Sequence, residues 1–207
     1  MADGTTATSN EIELADFVTV DNLKVNLLST RPTTVIKGTV GPTPPLPLFP
    51  VCCAVPAVQC NLGKPVLVAR SDVGALQPGV YGSVTVMNGA TLNLAPGNYV
   101  FCDLQISRRA QLITSGMTNI HLHGNLRINP AAFFGPKANE PIPNLEIEGT
   151  SIRFGAKAEI RAYLKAPNAF SQLGRYTNFI GTFCINGGQS DFGMNLSCPA
   201  GVDGLKH

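Results

Sequence analysis

Hydrophobic and polar positions repeat along the middle of the chain, from Tyr81 to about Gly149, in units of three short segments. Each segment contains a pair of apolar residues two positions apart, and turn residues separate the segments. Val84, Leu104 and Leu126 hold equivalent places and lie 20 and 22 residues apart. Alternation with period 2 predicts short strands, and a fixed period made only of strands predicts a coil of stacked rungs. The predicted inward pairs are Val84/Val86, Leu92/Leu94, Tyr99/Phe101, Leu104/Ile106, Ala110/Leu112, Ile120/Leu122, Leu126/Ile128, Ala132/Phe134 and Leu145/Ile147.

The pattern continues on both sides of this stretch. Pro65–Val68 is a candidate start for the first rung, and Ile152/Phe154 opens a further round. Phe179, Phe183 and Ile185 indicate a last, less regular one. We therefore predict an all-β fold, a single-stranded parallel β-helix of about four to five triangular rungs over residues 65–186. Corners are expected at Asn88-Gly89, Pro96-Gly97-Asn98, Ser115-Gly116 and Gly124-Asn125, and an insertion at 134–143.

The flanking segments lack the period. Residues 1–40 alternate like strands, and Asp21-Asn22 is a candidate hairpin turn, so we expect an accessory N-terminal β segment. Residues 41–64 are rich in proline and cysteine, which favours an extended connector over a sheet interior. Residues 187–207 are glycine-rich and are expected to form an irregular tail.

The low charge of the chain makes some classes of partner less expected. Only 14% of residues are charged and the net charge is +2, so neither nucleic acid nor an anionic membrane is an expected partner. The sequence contains no apolar run of membrane-spanning length, and Met1–Asn10 lacks the features of a signal peptide. We expect a secreted or surface protein in a trimmed or processed form.

The six cysteines support an oxidising compartment. Cys52, Cys53, Cys60 and Cys198 lie outside the repeat, and the sequence allows disulfides among them. Free buried thiols are the alternative. The spacings contain neither paired CxxC motifs nor CxxCH, so structural zinc and c-type haem find no support.

Several segments resemble a known group of domains. They are Leu76–Val80, Asn88–Leu94, Ala95–Phe101, Ile120–Ile128 and Ala162–Ala169. Together they resemble the "PGxY…GATLxL…YAPNA" pattern of bacterial secreted or surface β-helix domains, some of them pilus-associated and mostly of unknown function. The resemblance covers about residues 76–186 and implies a β-helix on a cell surface. It implies no catalytic residues.

One column of side chains carries candidate chemistry. If the inward pairs are correct, Cys102, His123 and Glu148 stack on the outside of one wall, with His121 and Glu146 in the next column. Thiol, imidazole and carboxylate groups can bind zinc or copper, and an imidazole can activate a neighbouring thiol as a nucleophile. These three residues are therefore weak candidates for metal ligands. The alternative is a solvated polar face with cross-strand ion pairs. No cofactor is expected.

The leading hypothesis is a non-enzymatic extracellular structural or adhesive module that self-assembles into a fibre or surface appendage. Its expected partners are further copies or other surface proteins. The alternative is a polysaccharide-binding or polysaccharide-degrading protein. Arg127 and Arg153 point outward together, which suits an acidic polysaccharide, but scattered surface arginines are ordinary. Degradation would need clustered carboxylates, and the chain has 13 Asp and Glu in all.

Overall fold

The fold is a parallel β-helix. The computed structural model describes the backbone of residues 6–14, 19–20, 22–30, 32–36, 40–41, 64–190 and 195–197. Side chains are described for 32–36, 64–185 and 188–189. The described pairings are all parallel, which confirms the predicted fold class. The strands are β1 Thr6–Leu14, β2 Thr19–Val20, β3 Asn22–Thr30, β4 Val35–Ile36, β5 Val40–Gly41, β6 Lys64–Val68, β7 Val73–Leu76, β8 Gly79–Val86, β9 Thr91–Leu94, β10 Gly97–Phe101, β11 Leu104–Ile106, β12 Gln111–Thr114, β13 Thr118–Leu122, β14 Leu126–Ile128, β15 Phe133–Pro136, β16 Asn144–Ile147, β17 Ser151–Phe154, β18 Glu159–Leu173, β19 Asn178–Ser190 and β20 Asn195–Ser197.

Three walls form the sides of the coil. Wall A contains β6, the end of β8, β11, β14, β17 and the end of β18. Wall B contains β7, β9, β12, β15 and the first residues of β18 and β19. Wall C contains the start of β8, then β10, β13, β16 and the middle of β18 and β19.

The described chain makes six turns between residues 64 and 185, more than the four to five predicted. The first turn and the last two are hard to read from the sequence, for different reasons. In the first turn the apolar alternation is interrupted by Gly74 on β7. In the last two, β18 and β19 run through the corners as 15- and 13-residue strands, with few turn residues to mark the corners.

A continuous apolar core fills the coil. All the predicted inward pairs are buried, as are Ile152, Phe154, Phe179, Phe183 and Ile185. Aromatic rings pack together in two groups, Tyr81 with Tyr99 and Phe101, and Phe154 with Phe179 and Phe183. Equivalent residues of successive turns therefore complete the core that one turn cannot close alone.

The corner between walls A and B has the same backbone in every turn. Its third residue adopts a positive φ in all six turns, between 56° and 70°, whether or not it is glycine. The residue after it is a buried alanine in four of the turns. Since the corner has the same geometry in each turn, the flanking strands keep their register along the whole coil. The positive-φ residues are Ser71, Gly89, Arg109, Ala131, Lys157 and Tyr176.

The N-terminal segment continues the coil, a relationship that the sequence did not predict. β1 pairs in parallel with β19 on one side and with β3 on the other. Thr6 stands opposite Asn22, so this part also coils, with a period of 16 residues. The predicted hairpin at Asp21-Asn22 is wrong, because a hairpin requires antiparallel strands. The weak amphipathic pattern of this segment hid its short period.

Two further boundaries differ from prediction. Residues 187–190 are not an irregular tail but the end of β19, and Asn195–Ser197 form β20. Gly187 and Gly188 lie in the strand because they pair with β18 and β1 on either side, so strand neighbours override the weak strand preference of glycine. The predicted connector, 41–64, falls outside the described residues except at its two ends.

The predicted insertion is a short loop between walls B and C. β15 ends at Pro136 and β16 begins at Asn144. The loop lies against the preceding corner, where the Gly116 backbone N–H donates to Glu140 Oε2 across 2.8 Å. Among the described residues, no helix is long and apolar enough to cross a membrane.

Candidate functional site: the outer face of wall C

A ladder of asparagines runs up the outside of wall C. β10, β13 and β16 place Asn98, Asn119 and Asn144 directly opposite one another. The Nδ2 of Asn119 donates to Asn98 Oδ1 across 2.8 Å, and the Nδ2 of Asn144 donates to Asn119 Oδ1 across 2.7 Å. A carboxamide has two N–H donors and two acceptor lone pairs. Each amide in the ladder therefore keeps hydrogen-bonding capacity beyond these contacts.

A charged column lies beside the ladder. His121, Glu146 and Lys165 occupy successive turns in register. Lys165 Nζ lies 3.4 Å from Glu146 Oε1. His121 Nδ1 lies 3.2 Å from Glu146 Oε2, an approach without hydrogen-bond geometry. Lys165 and Glu146 form a partly exposed ion pair, and the imidazole of His121 lies on the other side of the same carboxylate.

The structure brings together two of the three weak metal candidates. His123 Nδ1 and Glu148 Oε2 are 2.7 Å apart at the edge of wall C. Cys102 is disulfide-bonded, so its sulphur is not a thiolate ligand or nucleophile. Among the described residues, no group of three or more His, Cys, Asp or Glu side chains could hold a metal ion. Cys184 is half-buried on wall C, opposite Lys165.

The other predicted disulfide cysteines, Cys52, Cys53, Cys60 and Cys198, lie outside the described residues. Whether they pair with one another stays a prediction.

A shallow groove of about 410 Å³ lies between the ladder and the charged column. It is partly open to solvent, and strands β10, β13, β16 and β18 supply its lining. The lining contains neutral amides, one imidazole, one carboxylate and one ammonium group: Asn98, Asn119, Ile120, His121, Asn144, Glu146 and Lys165. An open groove of this kind suits an extended ligand better than a small molecule that needs enclosure.

The inner side of the same wall is rigid. The hydroxyl of Tyr99 lies 2.8 Å from the Ala95 carbonyl oxygen and 3.0 Å from that of Leu76, tying two successive turns together. Burial raises the pKa of Tyr99 to about 12, and the neighbouring Tyr81 adds to the rise while the bond to Ala95 opposes it. The wall therefore presents its polar groups on a fixed backing.

The asparagine ladder was missed from the sequence. Asn98, Asn119 and Asn144 are separated by 21 and 25 residues, close to the period of the core. The signal was therefore present, in the polar positions between the apolar ones. Reading the outward residues in register with the core would have found it.

Comparison with known proteins assigns the chain to no family. No protein-family model matches the chain, and no curated protein matches its sequence. A solved structure that resembles it is the crystal structure of an ice binding protein from an Antarctic Biological Consortium. The TM-score is 0.49 at 11% sequence identity, covering 95% of this chain and 87% of that one.

Proposed function

We propose that the protein is a non-enzymatic extracellular structural and adhesive module, a stiff rod that holds flat polar walls at a cell surface or appendage. The observation that carries the proposal is the asparagine ladder of wall C, defined by Asn98, Asn119 and Asn144. Its amides repeat along the axis at the strand spacing, about 4.8 Å. A regular array of donors and acceptors on a rigid wall is complementary to a ligand that also repeats.

The ligand class that fits is a repeating hydroxyl-rich surface. Hydroxyl groups both donate and accept, as carboxamides do, so they match the free capacity of the ladder without a charge. Two sources present this chemistry: an insoluble neutral polysaccharide and the water lattice of ice. The charged column beside the ladder, His121–Glu146–Lys165, is internally paired and supplies no net attraction for an ion.

Adsorption measurements test this proposal. Wild-type protein is incubated with insoluble neutral polysaccharides and, separately, with growing ice, and the bound fraction is measured. The variant Asn119→Ala removes the centre of the ladder. Gln111→Ala, an exposed position on wall B, is the matched control. We expect adsorption to one of the two sources, lost in Asn119→Ala and kept in Gln111→Ala. Absence of wild-type adsorption to both would contradict the adhesive function.

Self-assembly is a second part of the proposal, favoured by the two ends of the coil. At one end, the inward side chains of Val66 and Leu76 are only partly buried, and at the other so is Ile36. Among the described residues, β6 pairs with β8 alone and β7 with β9 alone. β4 and β5 likewise have one partner strand each. Head-to-tail contact between copies would bury these ends and would not close, which produces a filament.

The enzyme alternative, polysaccharide degradation, would place its acid and base at Glu146 and Glu148. Each carboxylate is already in contact with a histidine, at 3.2 Å and 2.7 Å. Incubation with a polysaccharide panel tests this alternative: product formation by the wild type, lost in Glu146→Gln or Glu148→Gln, would replace the adhesive function with a catalytic one.

A further inference from the structure

Positive charge is concentrated on one side of the coil. Eight exposed cationic side chains lie on wall A and on the corner that joins it to wall B; we call seven of them the basic strip and leave out Lys64, the first residue of β6. One carboxylate among the described side chains, that of Asp72, lies in the same corner. Since the whole chain has a net charge of only +2, the rest of the molecule is net acidic. The basic strip comprises Arg70, Arg108, Arg109, Arg127, Arg153, Lys157 and Arg175.

The centre of the basic strip is a pair of arginines in direct opposition. β14 and β17 place Arg127 across from Arg153, and both side chains are exposed. Adjacent strands are about 4.8 Å apart, so two like charges stand side by side. Within the described residues, no salt bridge joins either guanidinium to a carboxylate. Like charges opposite one another destabilise a sheet, and an anion bound between them would remove that cost.

The neighbours of the arginine pair are neutral hydrogen-bonding groups. On the outside of wall A, Gln105 lies next to Arg127, and Thr85 lies beyond Gln105. Gln172 lies next to Arg153 on the other side of the pair. These side chains are exposed or partly exposed. The two cations at the centre are flanked by amides and a hydroxyl along a line parallel to the coil axis. That order matches a chain of sugars bearing both carboxylates and hydroxyls.

We propose that the basic strip binds a linear anionic polysaccharide lying along the coil axis. Carboxylates of the ligand pair with Arg127 and Arg153, whose planar guanidinium groups bind a carboxylate through two parallel hydrogen bonds. Hydroxyl groups of adjoining sugars bind Gln105 and Gln172. The corner cations Arg108, Arg109 and Lys157 attract the same chain at longer range. This inference rests on the proposed extracellular adhesive function but uses a different wall.

Nucleic acid fits the basic strip less well. Proteins that bind single strands supply rows of aromatic side chains on which bases stack. Among the described side chains, two exposed aromatic rings lie at the edge of the strip, Phe170 at the end of β18 and Tyr176 in the corner, and they do not form a row on successive turns. Duplex nucleic acid and anionic membranes share the negative charge of an acidic polysaccharide, so they serve as competing outcomes in the test.

Titration with oligogalacturonate, a linear polymer of carboxylate sugars, tests the proposal. Neutral dextran, duplex DNA and phosphatidylserine vesicles are titrated in parallel, at low salt and at physiological salt. The double variant Arg127→Gln/Arg153→Gln removes the central pair, and Lys137→Gln removes an exposed charge from the loop between walls B and C. A second double variant, Arg127→Lys/Arg153→Lys, keeps the charge but loses the paired hydrogen bonds.

We expect oligogalacturonate to bind the wild type, more weakly at higher salt, and dextran not to displace it. Binding should fall about tenfold or more in Arg127→Gln/Arg153→Gln, by less in the lysine variant, and hardly at all in Lys137→Gln. Unchanged binding in the glutamine variant would overturn the proposal, and so would tighter binding of DNA or vesicles. Asn119→Ala should bind oligogalacturonate like the wild type. Loss of oligogalacturonate binding and loss of adsorption through wall C can therefore be told apart.

Discussion

Asn119 donates a hydrogen bond from its Nδ2 to the Oδ1 of Asn98 across 2.8 Å, although the two residues are 21 positions apart in the chain. The contact exists because β10 and β13 are adjacent in wall C and in register. It shows how the coil turns a sequence period into a physical array. The next turn adds a third amide, Asn144, to the same line, and the turn after it places Tyr163 there.

Removal of the middle amide should lower stability as well as adhesion. Asn119→Ala loses two side-chain hydrogen bonds at a partly exposed position, and we expect the free energy of unfolding to fall by about 1 kcal/mol. Denaturant unfolding measures the change. Gln111→Ala, the control on wall B, should alter stability by no more than about 0.5 kcal/mol. Equal stability of the two variants would argue against the ladder.

The repeated corner between walls A and B predicts opposite effects for two substitutions. Gly89 has φ 70° and Ala131 has φ 56° at equivalent positions. A Cβ at Gly89 would meet nothing closer than Ser71 Oγ at 3.6 Å, so Gly89→Ala is opposed by backbone conformation rather than by a clash. We expect it to cost about 1 kcal/mol, and Ala131→Gly to be neutral or to gain up to about 1 kcal/mol. Thermal unfolding of both variants checks this, and destabilisation of the same size in both would be inconsistent with the corner geometry.

Alkaline pH should destabilise the protein through Tyr99. Burial raises its pKa from an ordinary 10 to about 12 in the folded state. The unfolded state therefore loses this proton first, and the stability contributed by the neutral phenol is lost as pH rises through that range. Tyr99→Phe should remove this part of the pH dependence and cost about 1 kcal/mol at neutral pH through the lost hydrogen bond. The difference between the two unfolding curves from pH 9 to pH 12 isolates the effect; parallel curves would contradict it.

End-to-end assembly should respond to charge at the edge of the first turn. Val73 lies on β7 and its side chain is 75% exposed. Val73→Lys adds a charge to a strand edge, which opposes pairing with another chain. We expect light scattering over a wide concentration range to show association of the wild type and loss of it in this variant. Met117→Lys, at an exposed corner within the coil, should associate like the wild type. A wild type that stays monomeric throughout would contradict assembly.

The core could be predicted from the sequence because stacking constrains it. Every turn must place apolar side chains at equivalent inward positions, so Val84, Leu104 and Leu126 repeat their chemistry and reveal their register. The outward faces follow from that register, and the contact between His123 and Glu148 is one consequence. Outward chemistry itself is less constrained, which is why the asparagine ladder and the basic strip emerge only when strands are aligned.

The ends of the coil could not be predicted in the same way. β1 pairs with β19, which lies at the opposite end of the sequence, and the contact leaves no spacing signal. The sequence also predicts too few turns of the coil, because strands β18 and β19 pass through corners that contain few turn residues. The sequence suggested Cys102 as a metal ligand, but it is disulfide-bonded, and the pattern of residues around it gives no sign of that.

The central claim is that wall C binds a repeating hydroxyl-rich surface and does no chemistry on it. Binding and catalysis are tested in the same samples, by measuring the protein bound to insoluble polysaccharide and the soluble sugar released from it. The proteins compared are the wild type, Asn119→Ala, Gln111→Ala and Glu146→Gln. Adsorption of the same four proteins to ice is measured in parallel. The account predicts adsorption of the wild type to one of the two surfaces, loss of it in Asn119→Ala alone among the variants, and no released sugar. Sugar release that disappears in Glu146→Gln, or adsorption that persists in Asn119→Ala, would contradict it.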